Sequence, residues 1–136
     1  MKIIVCLDDR NGMLFNNRRQ STDRVLNEKI VEMTCESTLW LHPFSQRLFE
    51  GMSDNICIDE RYLELAGQGE FCFIETVDVM PDTESIEQII VFRWNRVYPA
   101  DVRFPAQLLD RFRRKDEILT FPGSSHDKIS MEVYSK

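Results

Sequence analysis

Residues 2–7 (Lys-Ile-Ile-Val-Cys-Leu) form an apolar run of strand length. Without polar alternation, such a run predicts a strand covered on both faces, as at the centre of a parallel sheet. Asp8 to Gly12 reads as a loop, with Asn11-Gly12 as its turn signal. Residues 13–20 are rich in Asn and Arg and read as an extended loop. Ser21 or Thr22 can cap a helix starting at Asp23, because a hydroxyl can accept from a free first-turn N–H. Leu26, Ile30 and Met33 then recur at helical spacing, with Val25 beside them, and the helix should end near Thr34.

Residues 38–42 predict a second strand, and Pro43 a short helix with Phe44, Leu48 and Phe49 on its apolar face and Gly51 as its stop. Residues 55–58 predict a third strand. Asp59 can cap a helix through Ala66, ended by Gly67, and residues 70–74 predict a fourth strand. Residues 76–85 look irregular around Pro81, and 86–94 read as a long strand. Residues 111–121 and 127–134 predict two more strands, joined by Pro122-Gly123-Ser124-Ser125. In the last, Ile129, Met131 and Val133 alternate with Ser130, Glu132 and Tyr134, as in an antiparallel strand with one buried face. Three strand–helix repeats followed mostly by strands predict an α/β fold. Its central sheet is mostly parallel, helices flank it in three layers, and an antiparallel hairpin closes it. No repeat or linker divides residues 1–136, so one domain is expected.

Composition adds exclusions. The chain is 43% hydrophobic and 29% charged, ordinary for a globular protein, and no apolar run approaches the roughly 20 residues of a membrane span. The apolar run at 3–7 is stopped by Asp8 and Asp9, too short for a signal-peptide core, so a cytoplasmic protein is expected. Cys6, Cys35, Cys57 and Cys72 show no CxxC spacing. Three of them lie in strand-like apolar runs and read as small buried hydrophobes. The net charge of −6 is unevenly spread. Residues 59–87 hold nine acids against Arg61, whereas 93–115 hold seven basic residues against Asp101 and Asp110. The basic segment, with Arg93, Arg96, Arg113 and Arg114, suits RNA, a phosphate ligand or an acidic partner; it equally suits a charged edge strand that discourages aggregation.

Few residues carry chemistry. Asp23 suits the dipole of a helix start. Arg18 and Arg19 could grip carboxylate or phosphate bidentately, or simply decorate a solvated loop. His126 stands between two serines and Asp127. Neighbours on a strand face opposite ways, so these residues cannot form a Ser-His-Asp triad among themselves, and a hydrogen-bonded structural His is expected. Phe92, Trp94 and Tyr98, interleaved with Arg93 and Arg96, could stack on nucleobases or pack within a sheet. Gly67-Gln68-Gly69 has no Lys-Ser or Lys-Thr after it and is a turn, not a phosphate loop.

Taken in order, several strings resemble dihydrofolate reductase over nearly the whole chain. Ile3 to Gly12 is similar to that family's first strand and the start of its mobile loop. Ser21-Thr22-Asp23 is similar to the entry of its first helix, where the family carries its catalytic carboxylate. Ile86 to Arg93, followed by Asp101-Val102-Arg103-Phe104-Pro105, and Ser125-His126 leading to Tyr134 resemble later strands and the final hairpin. The resemblance implies that Asp23 faces a pocket, where burial would raise its pKa toward acid–base work.

The departures from the family bear on function. Arg18-Arg19-Gln20-Ser21 stand where the family has a Trp and a Pro. His42-Pro43-Phe44-Ser45 replace a Gly-Arg-x-Thr motif that binds cofactor phosphates, leaving Ser45 with Arg18 and Arg19 as the candidate ligand-binding residues. Ile74-Glu75 stand where a Gly-Gly pair meets the dinucleotide, and Phe92 replaces a pterin-contacting Thr. No cofactor is therefore expected, and NADPH-dependent folate reduction is not. The strings Asp8 to Met13, Arg93 to Asp101 and Phe121 to His126 also resemble a family of small bacterial proteins, some named ribonuclease Z. Such a nuclease needs a cluster of His and Asp around two metals, whereas this chain has only His42 and His126, so no metal site is expected.

Three functional readings follow. The first is a reductase-like scaffold without a normal NADPH site, binding an anionic small molecule or a protein partner. The second is a divergent enzyme of the superfamily using Asp23 as its acid. The third is an RNA-interacting protein using the segment 93–115. A homodimer is compatible with all three, and no membrane partner is expected.

Overall fold

A computed structural model describes residues 1–77 and 80–136. Its central sheet is built on β1 (Lys2–Leu7), which pairs in parallel with β6 (Phe71–Phe73) on one side and β7 (Gln88–Arg93) on the other. Beyond β6 lie β4 (Leu39–Leu41) and β5 (Ile56–Ile58), also parallel. Beyond β7, the sheet turns antiparallel through β11 (Ile129–Ser135), against which β10 (Leu119–Phe121) and β9 (Arg113–Arg114) pair. The order is β10-β11-β7-β1-β6-β4-β5, an α/β fold with a mostly parallel sheet and an antiparallel C-terminal hairpin.

Alternation along the central strands divides the core. Ile3, Val5, Leu7, Ile89 and Val91 pack on one face with Phe104, Leu109 and Phe112. Ile4, Ile90 and Phe92 pack on the other with Leu26 and Ile30 of α1 (Arg24–Thr34) and with Phe49, which ends a 3-10 helix at Pro43–Phe49. The long apolar strands carry two faces because both are covered.

Several expected elements differ. The loop at 13–20 contains β2 (Gly12–Phe15) and β3 (Arg18–Arg19), joined through Asn16 and Asn17, and β8 (Val102–Arg103) completes a three-stranded sheet. Both Asn residues have positive φ, the requirement of a tight hairpin turn that Asn tolerates. The cap of α1 is Asp23 itself rather than Ser21 or Thr22. The helix expected at 59–66 is one turn, α2 (Tyr62–Leu65), and α3 is another (Ala106–Leu109). The strand expected at 111–121 is broken into β9 and β10. Of the cysteines read as core, Cys72 is buried, its thiol pushed up to about 12 by burial, and Cys6 is half-buried against the core; Cys57 is exposed on the edge strand β5. Residues 78 and 79, inside the stretch expected to be irregular, lie outside the described residues. No helix among the described residues is long and apolar enough to cross a membrane.

Candidate functional site

The start of α1 lies against the turn before β11. Asp23 has extended backbone at the helix entrance (φ −151°, ψ 125°), and its Oδ1 accepts from Leu26 N–H at 3.2 Å. The turn at 122–126 brings further donors. Ser124 N–H reaches Oδ1 at 3.0 Å, and Ser125 N–H reaches Oδ2 at 2.9 Å. Both serine hydroxyls also lie at 3.2 Å, and His126 Nδ1 lies 2.9 Å from Oδ2. Burial pushes the Asp23 carboxyl upward, but the N–H groups of Ser125, Ser124 and Leu26 and the His126 ring outweigh it. The net result is a pKa well below the usual carboxylate range. The expectation that burial would raise Asp23 toward acid work is thereby reversed: the donors decide its charge.

An ionised carboxylate only accepts, so the His126 ring proton belongs on Nδ1, and Nε2 presents its lone pair. Two hydroxyls meet it, Ser21 Oγ at 2.9 Å and Tyr98 Oη at 3.3 Å. The imidazole stacks on Trp94 with ring centres 4.5 Å apart. His126 is hydrogen-bonded, as its context suggested, with partners supplied by the distant segment 21–23 and by Tyr98.

Gly123 makes this closure feasible. A Cβ there would fall onto Asp23 Oδ2, 2.8 Å from its Cγ and 2.9 Å from Ile129 Cδ1. Gly123→Ala is expected to destabilise the protein by about 1–3 kcal/mol, the range for overpacking a tight site, read as a lowered denaturant midpoint.

A second cluster stands at the end of β6. Arg19 Nε and Nη2 donate to the two oxygens of Glu75 at 2.8 and 2.9 Å, and Ser45 Oγ donates to Oε1 at 2.6 Å. Arg19 Nη2 also donates to the Phe44 carbonyl, and the guanidinium lies over the Phe44 ring. The carboxylate holds the Arg19 pKa above its ordinary value. Two of the three candidate ligand-binding residues are thus brought together, around a carboxylate of the chain itself. Arg18, the third, is exposed. Glu75 was overlooked as an organiser, although a carboxylate closing the run Phe71-Cys72-Phe73-Ile74 is a visible signal.

Between the two clusters, Cys6, Ser21, Glu75 and Trp94 line a pair of cavities of about 20 Å³ each, room for about one water. A far larger groove, about 490 Å³, opens past the C-terminal ends of β4, β5 and β6. Its apolar wall comes from Leu14, Phe44, Tyr62 and Leu63, with Glu60, Arg61 and Glu64 among its charged groups. Arg61 is paired with Glu64.

The basic residues are not gathered. Arg93 is bound to Glu132, the Asp8 carbonyl and Asn11. Arg113 and Arg114 sit beside Ser135 and Tyr134, at the Gln88 end of β7, whereas Arg96 follows its opposite end. About 17 Å of strand separates those ends. Phe92 and Trp94 are buried in the sheet core. Among the described residues, no group of three or more His, Cys, Asp or Glu is placed to hold a metal ion.

No family model and no curated protein matches the chain. Among solved structures it is similar to dihydrofolate reductase from Enterococcus faecalis, determined in complex with NADP(H) and RAB-propyl. The match covers 98% of this chain and 95% of that one, with a TM-score of 0.66 and 12% identity. The fold is dihydrofolate reductase-like; identity this low speaks to fold alone.

Proposed function

We propose that this protein is a reductase-like scaffold that binds a small molecule without using a dinucleotide cofactor. The observation carrying this reading is the Arg19–Glu75–Ser45 cluster. Ser45 lies in the segment that, by resemblance, would hold cofactor phosphates, and Glu75 in the one that would meet the dinucleotide. Here both are engaged with each other through an internal carboxylate. An incoming pyrophosphate would face that negative charge and would have to displace it from its donors. The water-sized cavities beside Ser21 further oppose a pterin, since ligand pockets run to about 300–1,000 Å³.

The groove past β4, β5 and β6 is of ligand size and lies where open α/β sheets bind ligands, outside the strand carboxyl ends. Its apolar wall and its two Glu residues against a single paired Arg favour a neutral or cationic ligand with an apolar body over an anionic one.

Nile red, neutral and fluorescent in apolar surroundings, tests this. It is expected to bind saturably, and Phe44→Asp is expected to weaken binding about tenfold, as loss of one partly buried aromatic contact would. Phe44 is 43% exposed, so the change should leave the core intact. Binding indifferent to Phe44→Asp, or stabilisation of the protein by inorganic pyrophosphate in place of Nile red, would contradict the reading.

A further inference from the structure

We propose that Ser21, His126 and Asp23 form an acyl-transfer site in which Ser21 attacks small carboxylic esters. The inference rests on geometry apart from the groove. Asp23 Oδ2 is 2.9 Å from His126 Nδ1, and His126 Nε2 is 2.9 Å from Ser21 Oγ. This is the spatial order of nucleophile, base and orienting carboxylate that activates a hydroxyl, and such an order is recognised by geometry rather than by chain position. The three residues come from the entrance of α1 and the turn before β11, which explains why neighbours of His126 along the chain could not supply the partners.

Each part is held for its task. Asp23 is fixed by two backbone N–H groups of the turn and one of α1, so its position does not rest on His126 alone. Its carboxylate is a positioning group: it sets the proton on Nδ1 and leaves Nε2 to receive the Ser21 proton. Trp94 packs against the imidazole plane and fixes ring orientation. Ser21 alone of the three lines the two small cavities, while the base and carboxylate are buried. Arg19 and Gln20 line the same cavity. The Arg19 guanidinium, held by Glu75 and the Phe44 carbonyl, is the positive group lining that cavity.

The reaction balances without a cofactor. Ser21 Oγ forms a bond to the ester carbonyl carbon as its proton passes to His126 Nε2. The carbon–oxygen bond to the alcohol then breaks, and Nε2 returns the proton to the departing alkoxide. Water attacks the acyl-serine by the same route, giving the carboxylic acid and restoring Ser21. Cavities with room for about one water favour the smallest acyl groups.

The test uses 4-nitrophenyl acetate with the purified protein, quenched in acid, and mass spectrometry to locate the acetyl group. Acetylation of Ser21 is expected, with release of nitrophenolate. His126→Gln is expected to slow it about a hundredfold or more, the contribution of a general base. Tyr98→Phe, which removes the competing hydroxyl from Nε2, is expected to speed it. Acetylation confined to the exposed Cys35 and Cys57, or a folded His126→Gln protein acetylated at Ser21 at the original rate, would overturn the proposal. A slower Tyr98→Phe protein would assign Nε2 to Tyr98 and overturn it also. Should His126→Gln fail to fold, Ser21→Cys decides: its thiol must react with iodoacetamide faster than Cys35 or Cys57, and a rate no greater than theirs contradicts activation by His126.

Discussion

Asp23→Ala is expected to lower folding stability by about 3–5 kcal/mol, whatever its effect on any activity. The side chain accepts from Leu26, from Ser124 and Ser125, and from His126, and is fully buried. Loss of a helix N-cap alone costs about 0.5–2 kcal/mol, and each buried donor left without an acceptor adds about 1–3, less where water enters. Asp23→Asn keeps an oxygen for some donors but turns an amide NH₂ toward others, so a smaller loss is expected. Equilibrium denaturation measures both. An alanine variant within about 0.5 kcal/mol of the parent, the range of ordinary surface changes, would show that the turn before β11 does not depend on this carboxylate.

The same contacts predict acid sensitivity. Asp8 is also buried, and its carboxylate accepts from the backbone of Arg10, Gly12 and Tyr98 and from the Gln20 amide. Burial raises its pKa, but these donors, Gly12 and Tyr98 foremost, bring it below the ordinary value. For Asp8 and Asp23 the folded-state pKa is therefore lower than the unfolded value of about 3.9. Their stabilisation is complete above the unfolded value and is lost as pH falls toward the folded one. Stability should decline below about pH 5, and less steeply in Asp23→Ala than in the parent.

Glu75→Ala has the second large expected effect, a loss of about 2–3 kcal/mol together with a gained response to phosphate. Ser45 is buried and would lose its acceptor, and Arg19, 27% exposed in its side chain, would lose a bidentate partner. The partial exposure of Arg19 keeps the figure below that of a fully buried pair. The freed donors then match an external anion, so inorganic phosphate should raise the melting temperature of Glu75→Ala more than that of the parent at equal ionic strength. An equal response in the two proteins would mean that Glu75 does not occupy an anion site.

The central sheet was legible because its signals are local. The run at 2–7, the strand after Ile129 and the Pro43 helix start each follow from a few adjacent residues. Yet β11 is covered on both faces rather than one, with Ser130 buried and Tyr134 packed against the cluster that holds Ile3 and Val5. The small sheet of β2, β3 and β8 was harder, since β8 pairs with β2 across most of the chain. Its hairpin nevertheless left a trace in Asn16-Asn17. The break between β9 and β10 falls on Lys115-Asp116-Glu117, charged residues that form strands poorly, although both strands still pair with β11. At the site, local reading found Asp23, Arg19, Ser45 and His126 singly but not their pairing. His126 meets Asp23 across 103 residues, and Arg19 meets Glu75 across 56. Composition and spacing carry no record of such distances. The basic segment is the converse case: Arg96 and the pair Arg113-Arg114, which one short segment carries, are placed at opposite ends of one strand.

The most direct measurement is the thermal unfolding midpoint of the unmodified protein titrated with NADPH. A ligand at about 100 times its Kd stabilises by about 2.7 kcal/mol, a shift of several degrees for a chain of 136 residues. The predicted result is no shift, because Glu75 already holds Arg19 and Ser45. A saturable rise with NADPH would contradict the account and return the protein to dinucleotide chemistry.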